Sequence, residues 1–490
     1  MTTSASPKKI TFVTPPYHSG IPELAGRWIP LNFVYLAGAA REAGLDAEIY
    51  DAMALDHGYA EIEERLRGSR PDYVATSAIT ATINDALKTL ELAKRINPGT
   101  VTILGGVHPS FMYREILGSC RAVDYIVIGE GERSLAELVT VLEKGGDPAD
   151  VSGLAFRQGE TVRVTPGRCL MENLDRLPAA WDLLDWPTYR YFIIPDSRFG
   201  AVSTSRGCDH GCRFCSQQKF WGKSWRGRDP QLVADELELL YTRYQVNVFM
   251  ITDEAANRDA VRWEALLDAL IAKELPIFLI METRASDLIR DREIIWKYRK
   301  AGIIHISIGI ESTSQLRLDL LGKRQSVDEA KQALELIHAE GIVSEASFLV
   351  GFPDETVESV KETLKRAQFY NPDNANFFPI TPWPYSEMYE ELMPYIKERD
   401  YSKYNFIESI VEPRQMSMRQ LDVAIVDCFR KFYMGKIPEV MMMKDTFKRG
   451  YIVRATKLIM GSSFIVKKLS VGTLNKIPAK IEEVANRFKS

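Results

Sequence analysis

Arg206-Gly207-Cys208-Asp209-His210-Gly211-Cys212-Arg213-Phe214-Cys215 places three thiols within eight positions, directly after an apolar stretch, residues 201–204, that reads as a strand. A Cys-x3-Cys-x2-Cys run on a loop can wrap three thiolates around three irons of a cubane, because thiolates are the preferred ligands of iron–sulfur clusters. Such clusters ordinarily take four cysteines. Three local ones leave an iron open for a distant cysteine (Cys120, Cys169 or Cys428) or for a substrate. Spacing alone also admits zinc, since Cys3His is a structural zinc set and His210 sits inside the loop.

Working downstream, Val- and Ile-rich strands recur at residues 201–204, 248–252, 277–281, 305–310, 345–350 and 375–380, with helical stretches that include 231–244, 261–272 and 327–339. Strands buried on both faces and separated by helices form parallel sheets. Six such units without a seventh predict an open, partial (β/α)6 TIM-like barrel over residues 199–384, with chemistry at the carboxyl ends of its strands. From about Pro384 the strand signal stops and aromatics accumulate (Tyr385, Tyr389, Tyr395, Tyr401, Tyr404, Phe406). Residues 385–490 are therefore expected to form a helical C-terminal region. The stretch 444–490 carries eleven Lys/Arg against three Asp/Glu. A solvated helix face is the ordinary reading of such a run; peripheral contact with an acidic or membrane surface is the alternative.

Working upstream, residues 146–198 are irregular and proline-rich (Pro148, Pro166, Pro178, Pro187, Pro195) and read as a linker. Residues 1–145 alternate strands at 10–13, 47–50, 73–77, 101–104 and 125–128 with helices near 33–43, 59–67, 83–95 and after Glu132. That pattern predicts an α/β, doubly wound, Rossmann-like domain. Ligands of such sheets lie over the carboxyl ends of the strands. Here those ends are the loops 14–30, 78–82, 105–111 and 129–132, whose glycines let backbone N–H groups approach a large polar ligand closely.

The whole chain has 490 residues, 46% of them hydrophobic, enough for two to four domains of ~150 residues. Its net charge of −4 gives no support for nucleic-acid binding. No apolar run reaches the ~20 residues of a membrane span, and residues 1–9 lack the apolar core of a signal peptide. Six cysteines are too few for a disulfide scaffold, and three crowd into one loop, a metal-site distribution in a reducing compartment. A soluble, cytoplasmic protein is expected.

The cysteine run, with an aromatic just before its last cysteine, resembles the signature loop of the radical S-adenosylmethionine (SAM) superfamily, where the open iron chelates the amino and carboxylate groups of SAM. Other elements of that family follow in order over residues 200–385. Asp253-Glu254 resembles the acidic element that engages the SAM amino group, and Arg284 lies just past the third strand. Gly309-Ile310-Glu311-Ser312 with Leu321-Gly322-Lys323 resembles the region near the ribose, and Gly351-Phe352-Pro353-Asp354-Glu355-Thr356 the loop near the adenine. The resemblance implies a 4Fe-4S cluster on Cys208, Cys212 and Cys215, and SAM contacts from Asp253, Glu254, Arg284, Glu311 and Gly351.

The N-terminal domain resembles the cobalamin-binding domain that precedes the barrel in one branch of the superfamily, through Gly105-Gly106-Val107-His108-Pro109-Ser110 and the stretch from Asp124-Tyr125 to Gly129-Glu130-Gly131-Glu132. This implies cobalamin contacts from Ser77, Thr80, Gly105, Gly106, His108, Gly129 and Glu130. Another cobalamin class ligates cobalt through Asp-x-His-x-x-Gly. Asp56-His57-Gly58 has the wrong spacing, so His57 is not assigned to cobalt.

Within that branch, Tyr17-His18-Ser19-Gly20, Glu23-Leu24-Ala25-Gly26-Arg27-Trp28, Ser216-Gln217-Gln218-Lys219-Phe220-Trp221, Thr381-Pro382-Trp383-Pro384, Asp400-Tyr401-Ser402-Lys403-Tyr404-Asn405-Phe406 and Arg430-Lys431-Phe432-Tyr433-Met434 resemble the anaerobic magnesium-protoporphyrin IX monomethyl ester oxidative cyclase family of bacteriochlorophyll synthesis. That resemblance implies closure of the isocyclic ring with oxygen from water, a hydrophobic tetrapyrrole substrate, and an electron donor such as flavodoxin or ferredoxin. Trp221, Trp225, Trp383 and Tyr404 are the candidate liners of its pocket. A shorter tail and the commoner form of the 351–356 loop depart from the cyclase pattern. They leave open a cobalamin-dependent C-methyltransferase acting on another flat scaffold, such as a hopanoid.

Overall fold

The computed structural model describes residues 7–17 and 25–462. Its first sheet contains β1 (Lys9–Val13), β2 (Asp46–Tyr50), β3 (Tyr73–Ser77), β4 (Val101–Gly105), β5 (Tyr125–Val127), β6 (Leu154–Gln158) and β7 (Thr161–Val164), in the order β2-β1-β3-β4-β5-β6-β7. The first five strands are parallel, as the alternation of Val/Ile strands with helices predicts. The order reverses between β1 and β3, so the loops leaving their carboxyl ends diverge and open a crevice.

Two expectations for this half need correction. Part of the predicted linker, residues 154–164, is a hairpin that joins β5 antiparallel and extends the sheet. Its outer strand β7 is only four residues long and mostly exposed, as suits an edge, so its Val162/Val164 alternation is too short to stand out among the surrounding Gly and Pro. The predicted loop 105–111 is also short, because the helix Val107–Ser119 begins immediately after Gly106.

The second sheet orders β8 (Phe199–Val202), β11 (Val248–Ile251), β12 (Phe278–Thr283), β13 (Ile303–Glu311), β14 (Val343–Val350) and β15 (Asn374–Pro379) sequentially and in parallel, with open edges at β8 and β15. This is the expected six-unit partial barrel. Between β8 and β11 lies an unforeseen antiparallel pair, β9 (Ser205–Gly207) with β10 (Trp225–Gly227), which flanks the cysteine loop. Asp229 and Asp259 cap the helices Pro230–Tyr244 and Ala260–Lys273 by accepting from N–H groups of their first turns. Side chains alternate along each barrel strand. Outward positions are buried beneath helices, while inward ones (Met250, Glu282, Ser307, Glu345, Ser347, Asn376) keep accessible surface, so the lumen is a polar recess rather than a filled core.

The long helices of the C-terminal region begin at Met418. Residues 384–417 run mostly as short turns and irregular chain with one isolated bridge, Ile396 to Val411. The helix Met418–Met442 packs Leu421, Ile425, Phe429 and Phe432 into the barrel core, and the helix Thr446–Met460 closes the barrel floor with Tyr451, Ile452 and Ala455. Trp383 and Tyr404 are core residues of the irregular segment rather than pocket liners. No helix among the described residues is long and apolar enough to cross a membrane. Most of the basic stretch, residues 463–490, lies outside the described residues.

Candidate functional site

A cavity of about 370 Å³ lies where the carboxyl ends of the two sheets meet. The first domain lines it with Ser77, Ile79, Gly105, Gly106, Val107 and the loop 129–132, over an apolar base of Phe12, Phe33, Ile103 and Val127. The barrel side contributes Ser203, Ser205, Arg206, Phe220, Trp221, Thr252 and Glu254. Gly106 is at φ +102°, and a Cβ there would lie 2.5 Å from the Ala78 carbonyl oxygen. Only glycine lets the loop after β4 pass so close to the loop after β3. Ser110 ties the next loop in, donating to the Gly106 carbonyl at 2.7 Å and accepting from Gly129 N–H at 3.0 Å.

Of the cobalamin contacts expected from sequence, Ser77, Gly105, Gly106, Gly129 and Glu130 line this cavity, whereas Thr80 and His108 do not. Thr80 Oγ1 is 3.1 Å from His108 Nδ1 and 3.0 Å from the Tyr385 hydroxyl, and the His108 ring packs edge-on against Tyr401. Burial pushes the His108 imidazole down to about 4, so it is neutral. These two residues dock the C-terminal segment onto the first domain. His57 also stays outside, with the Tyr50 hydroxyl 2.8 Å from its Nδ1.

The two domains are held by a buried ion-pair clamp that sequence reasoning missed. Arg206 reaches Glu130 at 3.0 Å and Glu132 at 2.7 Å, and Arg226 reaches Glu130 at 3.1 Å. Burial works to raise the Glu130 carboxyl, but the Arg226 and Met171 N–H hydrogen bonds and the Arg206 charge outweigh it and hold it low. The Arg206 guanidinium also lies over the rings of Tyr35 and Trp221. Both arginines stand on the β9–β10 pair, so the element that carries the cysteine loop also grips the first domain. An arginine immediately before the cysteine run was the available signal.

Adjacent acids at the end of β11 do different work. Asp253 is buried and accepts from Thr204 N–H at 2.7 Å, Thr204 Oγ1 at 2.6 Å and Ser205 Oγ at 2.6 Å. Burial pushes its carboxyl up to about 6 against the pull of those bonds. It fixes the corner leading into the cysteine loop and does not line the cavity. Glu254 does, accepting from Gly207 N–H at 3.2 Å and Trp221 Nε1 at 2.7 Å. Trp225 spends its indole N–H on the Ala255 carbonyl.

The cysteine loop is braced from three sides. Asp209 pairs with Arg258, Gln218 donates to the Cys212 carbonyl at 2.9 Å, and Arg213 N–H donates to the Leu321 carbonyl at 2.9 Å. Cys212 is buried, and Cys208 and Cys215 are half-buried; burial pushes the Cys215 thiol up to about 11, with the other two thiols adding to the rise. Cys120 and Cys428 sit in hydrophobic cores elsewhere and Cys169 is exposed, so none of them joins the loop. Among the described residues no three His, Cys, Asp or Glu side chains converge on one point.

Arg284 is buried with Nη1 3.6 Å from Cys212 Sγ, its Nη2 donating to the Lys323 and Arg324 carbonyls, and its Nε unpartnered. Glu311, at φ +64° beside a register slip in β13, pairs with Lys323 at 2.9 Å. Gly351 instead faces the C-terminal helix: at φ +85°, a Cβ there would lie 2.7 Å from a Leu421 methyl.

Two family models match the chain, the B12 binding domain over residues 18–139 and the radical SAM superfamily over residues 202–367. The chain is 37% identical over 470 residues to the anaerobic magnesium-protoporphyrin IX monomethyl ester cyclase of Rubrivivax gelatinosus, covering 95% of this chain and 84% of that one. It is 32% identical to an uncharacterized methyltransferase of Pyrococcus horikoshii, over 91% of this chain and 96% of that one. Its fold matches that of a radical SAM methyltransferase from Kitasatospora setae, solved with cobalamin and a [4Fe-4S] cluster bound, at a TM-score of 0.70 and 16% identity, covering 92% of this chain and 99% of that one. The chain therefore belongs to the radical SAM enzymes that carry an N-terminal B12-binding domain, the family that includes the anaerobic magnesium-protoporphyrin IX monomethyl ester cyclases.

Proposed function

We propose that this enzyme closes the isocyclic ring of magnesium-protoporphyrin IX monomethyl ester without molecular oxygen, in bacteriochlorophyll synthesis. The observation that carries the reading is the likeness to the Rubrivivax cyclase, which runs through the C-terminal segment that docks on the first domain as well as through both cofactor domains.

The residues present suit the cofactors of the family. Cys208, Cys212 and Cys215 offer three thiols spread around a loop, with no further cysteine at hand to block a fourth iron. The unpartnered Arg284 Nε and the Glu311–Lys323 pair offer polar anchors for SAM beside that loop. The Gly106 cradle and its apolar base suit the corrinoid. When bound, the cluster with SAM supplies hydrogen-atom abstraction from an unactivated carbon, and the corrinoid supplies further one-electron chemistry. The protein's own part is placement. The clamp from Arg206 and Arg226 to Glu130 and Glu132 fixes the two half-sites, so the reacting groups meet at a set separation rather than by diffusion. The polar lumen below receives the substrate side chain, and electrons arrive from a small donor such as flavodoxin or ferredoxin.

Gly106→Ala tests the cradle. Forcing a non-glycine residue into that backbone region costs about 1–3 kcal/mol, before the clash with Ala78 is added. The variant is expected to melt earlier and to lose the corrinoid absorbance of the wild type after gel filtration. Wild-type corrinoid content would place the cofactor elsewhere.

A second reading, C-methylation of the substrate carbon, rests on the Pyrococcus relative. Anaerobic incubation with SAM, cobalamin, a one-electron reductant and the porphyrin ester separates the two. The cyclase reading expects 5′-deoxyadenosine together with a product that has gained oxygen and lost hydrogen. A product that has gained CH2 assigns methylation, and no porphyrin turnover alongside activity on another scaffold removes the tetrapyrrole.

A further inference from the structure

The barrel lumen holds a set of polar side chains below the cysteine loop. Glu282 on β12 and Glu345 on β14 stand at the same level, each in register with Ser307 on the strand between them. Both face inward and keep accessible surface. Glu345 accepts from Asn376 Nδ2 at 2.9 Å and from Ser307 Oγ at 3.5 Å, whereas Glu282 makes no hydrogen bond or ion pair among the described residues.

Beneath Glu345 lies His305, buried, with its Nε2 unpartnered and 3.6 Å from the carboxylate. His305 Nδ1 is 2.7 Å from the Tyr451 hydroxyl, which in turn meets the Tyr191 hydroxyl at the floor. That chain of neutral groups fixes the imidazole and aims its free nitrogen at the lumen.

The charges around the recess are accounted for. Above it, Lys323 is spent on Glu311, and Glu254 is held by Gly207 and Trp221. Below it, Lys448 is spent on Asp373 at 2.9 Å. The Tyr433 hydroxyl of the helix Met418–Met442 is spent on the Ala375 backbone. Among the described residues the lysines beside the recess are paired, and acidic groups with neutral donors dominate its lining. A free carboxylate entering it would meet two acids, Glu282 and Glu345, with only the Lys323 charge, already paired to Glu311, acting against them. An ester brings the same carbonyl acceptor without the charge.

On the tetrapyrrole reading above, we infer that this lumen selects the esterified side chain of the substrate, with the Glu345 carboxylic acid donating to the ester carbonyl and Glu282 excluding the free acid. Burial and then the Glu282 charge push Glu345 up to about 7, and burial together with Glu311 and Glu254 raises Glu282. The sign follows. Glu345 is a donor below pH 7 and loses its proton as the pH rises through that value, so ester binding weakens from pH 6 to pH 8.5.

The test is equilibrium titration of the anaerobically reconstituted full-length enzyme with magnesium-protoporphyrin IX monomethyl ester and with the diacid, followed by porphyrin fluorescence. The wild type is expected to bind the ester at least about tenfold tighter at pH 7, the size of effect a single buried polar mismatch gives. Glu282→Gln should shrink that preference several-fold by tightening the diacid. Glu345→Gln keeps a donor that cannot ionise, and should hold ester binding flat between pH 6 and 8.5. Circular dichroism melts of both isosteric variants report the fold. Equal affinity for ester and diacid, or a preference untouched by Glu282→Gln, would overturn the inference and leave the cyclase reading standing. No binding of either porphyrin by the wild type would overturn both.

Discussion

Replacing any one of Cys208, Cys212 and Cys215 by alanine is expected to drop the iron content of anaerobically purified protein from about four atoms per chain to the background of the assay, and to abolish turnover. Each thiol would serve a different iron, and no neighbouring cysteine is placed to stand in, because Cys120 and Cys428 are locked in separate cores and Cys169 is exposed elsewhere. The corrinoid should remain bound, since its cavity is walled by the first domain and by the β9–β10 pair rather than by the thiols. Cys120→Ala, Cys169→Ala and Cys428→Ala should keep full iron. Iron and sulfide analysis with EPR of the reduced protein reads all six variants. Retention of a full cluster in any of the first three would refute the ligand assignment.

Arg206→Ala is expected to be the most damaging change outside the cysteine loop. The guanidinium bridges two buried carboxylates from its own two nitrogens. Removing one partner of such a set leaves buried charge uncompensated, at a cost of about 3–5 kcal/mol. The clamp joins the two halves of the cavity, so the loss should appear as a lower melting temperature and as corrinoid lost on gel filtration. Arg206→Lys keeps the charge but cannot span both acids, and should fall between. Because Glu130 is held below its ordinary range, the clamp's contribution is present at neutral pH and is lost as pH falls through the acid range. A wild-type melt for Arg206→Ala would mean that the domains are held chiefly by the contacts around Tyr385 and Tyr401.

What could be read from the sequence depended on how much chain each feature occupies. The strands that carry both sheets are runs of Val, Ile and Phe bounded by turns, and each expected strand lies within a residue or two of the observed one. The β9–β10 pair has three residues per strand, built from Ser, Arg, Gly and Trp, so neither periodicity nor propensity marks it. Yet it organises the site. Asp253 and Glu254 show a second limit. Consecutive residues at the end of an extended strand point to opposite sides, and a sequence motif cannot tell which of the two faces the ligand. Thr80 and His108 show a third, because their partners Tyr385 and Tyr401 lie about three hundred residues away in the sequence. Polar residues in a ligand-binding loop can equally hold a distant segment in place. Gly351 is similar, since a left-handed glycine beside Leu421 has a packing reason that a motif cannot separate from a cofactor contact.

One chain is expected to hold a cluster on its cysteine loop and a corrinoid in the cavity that the Arg206 clamp completes. The most direct measurement is the metal and corrinoid content of the wild-type protein, purified and reconstituted without oxygen. The account predicts about four irons and one corrinoid per chain, both retained through gel filtration. Stoichiometric zinc without iron, or a protein that binds the cluster but no corrinoid, would contradict it.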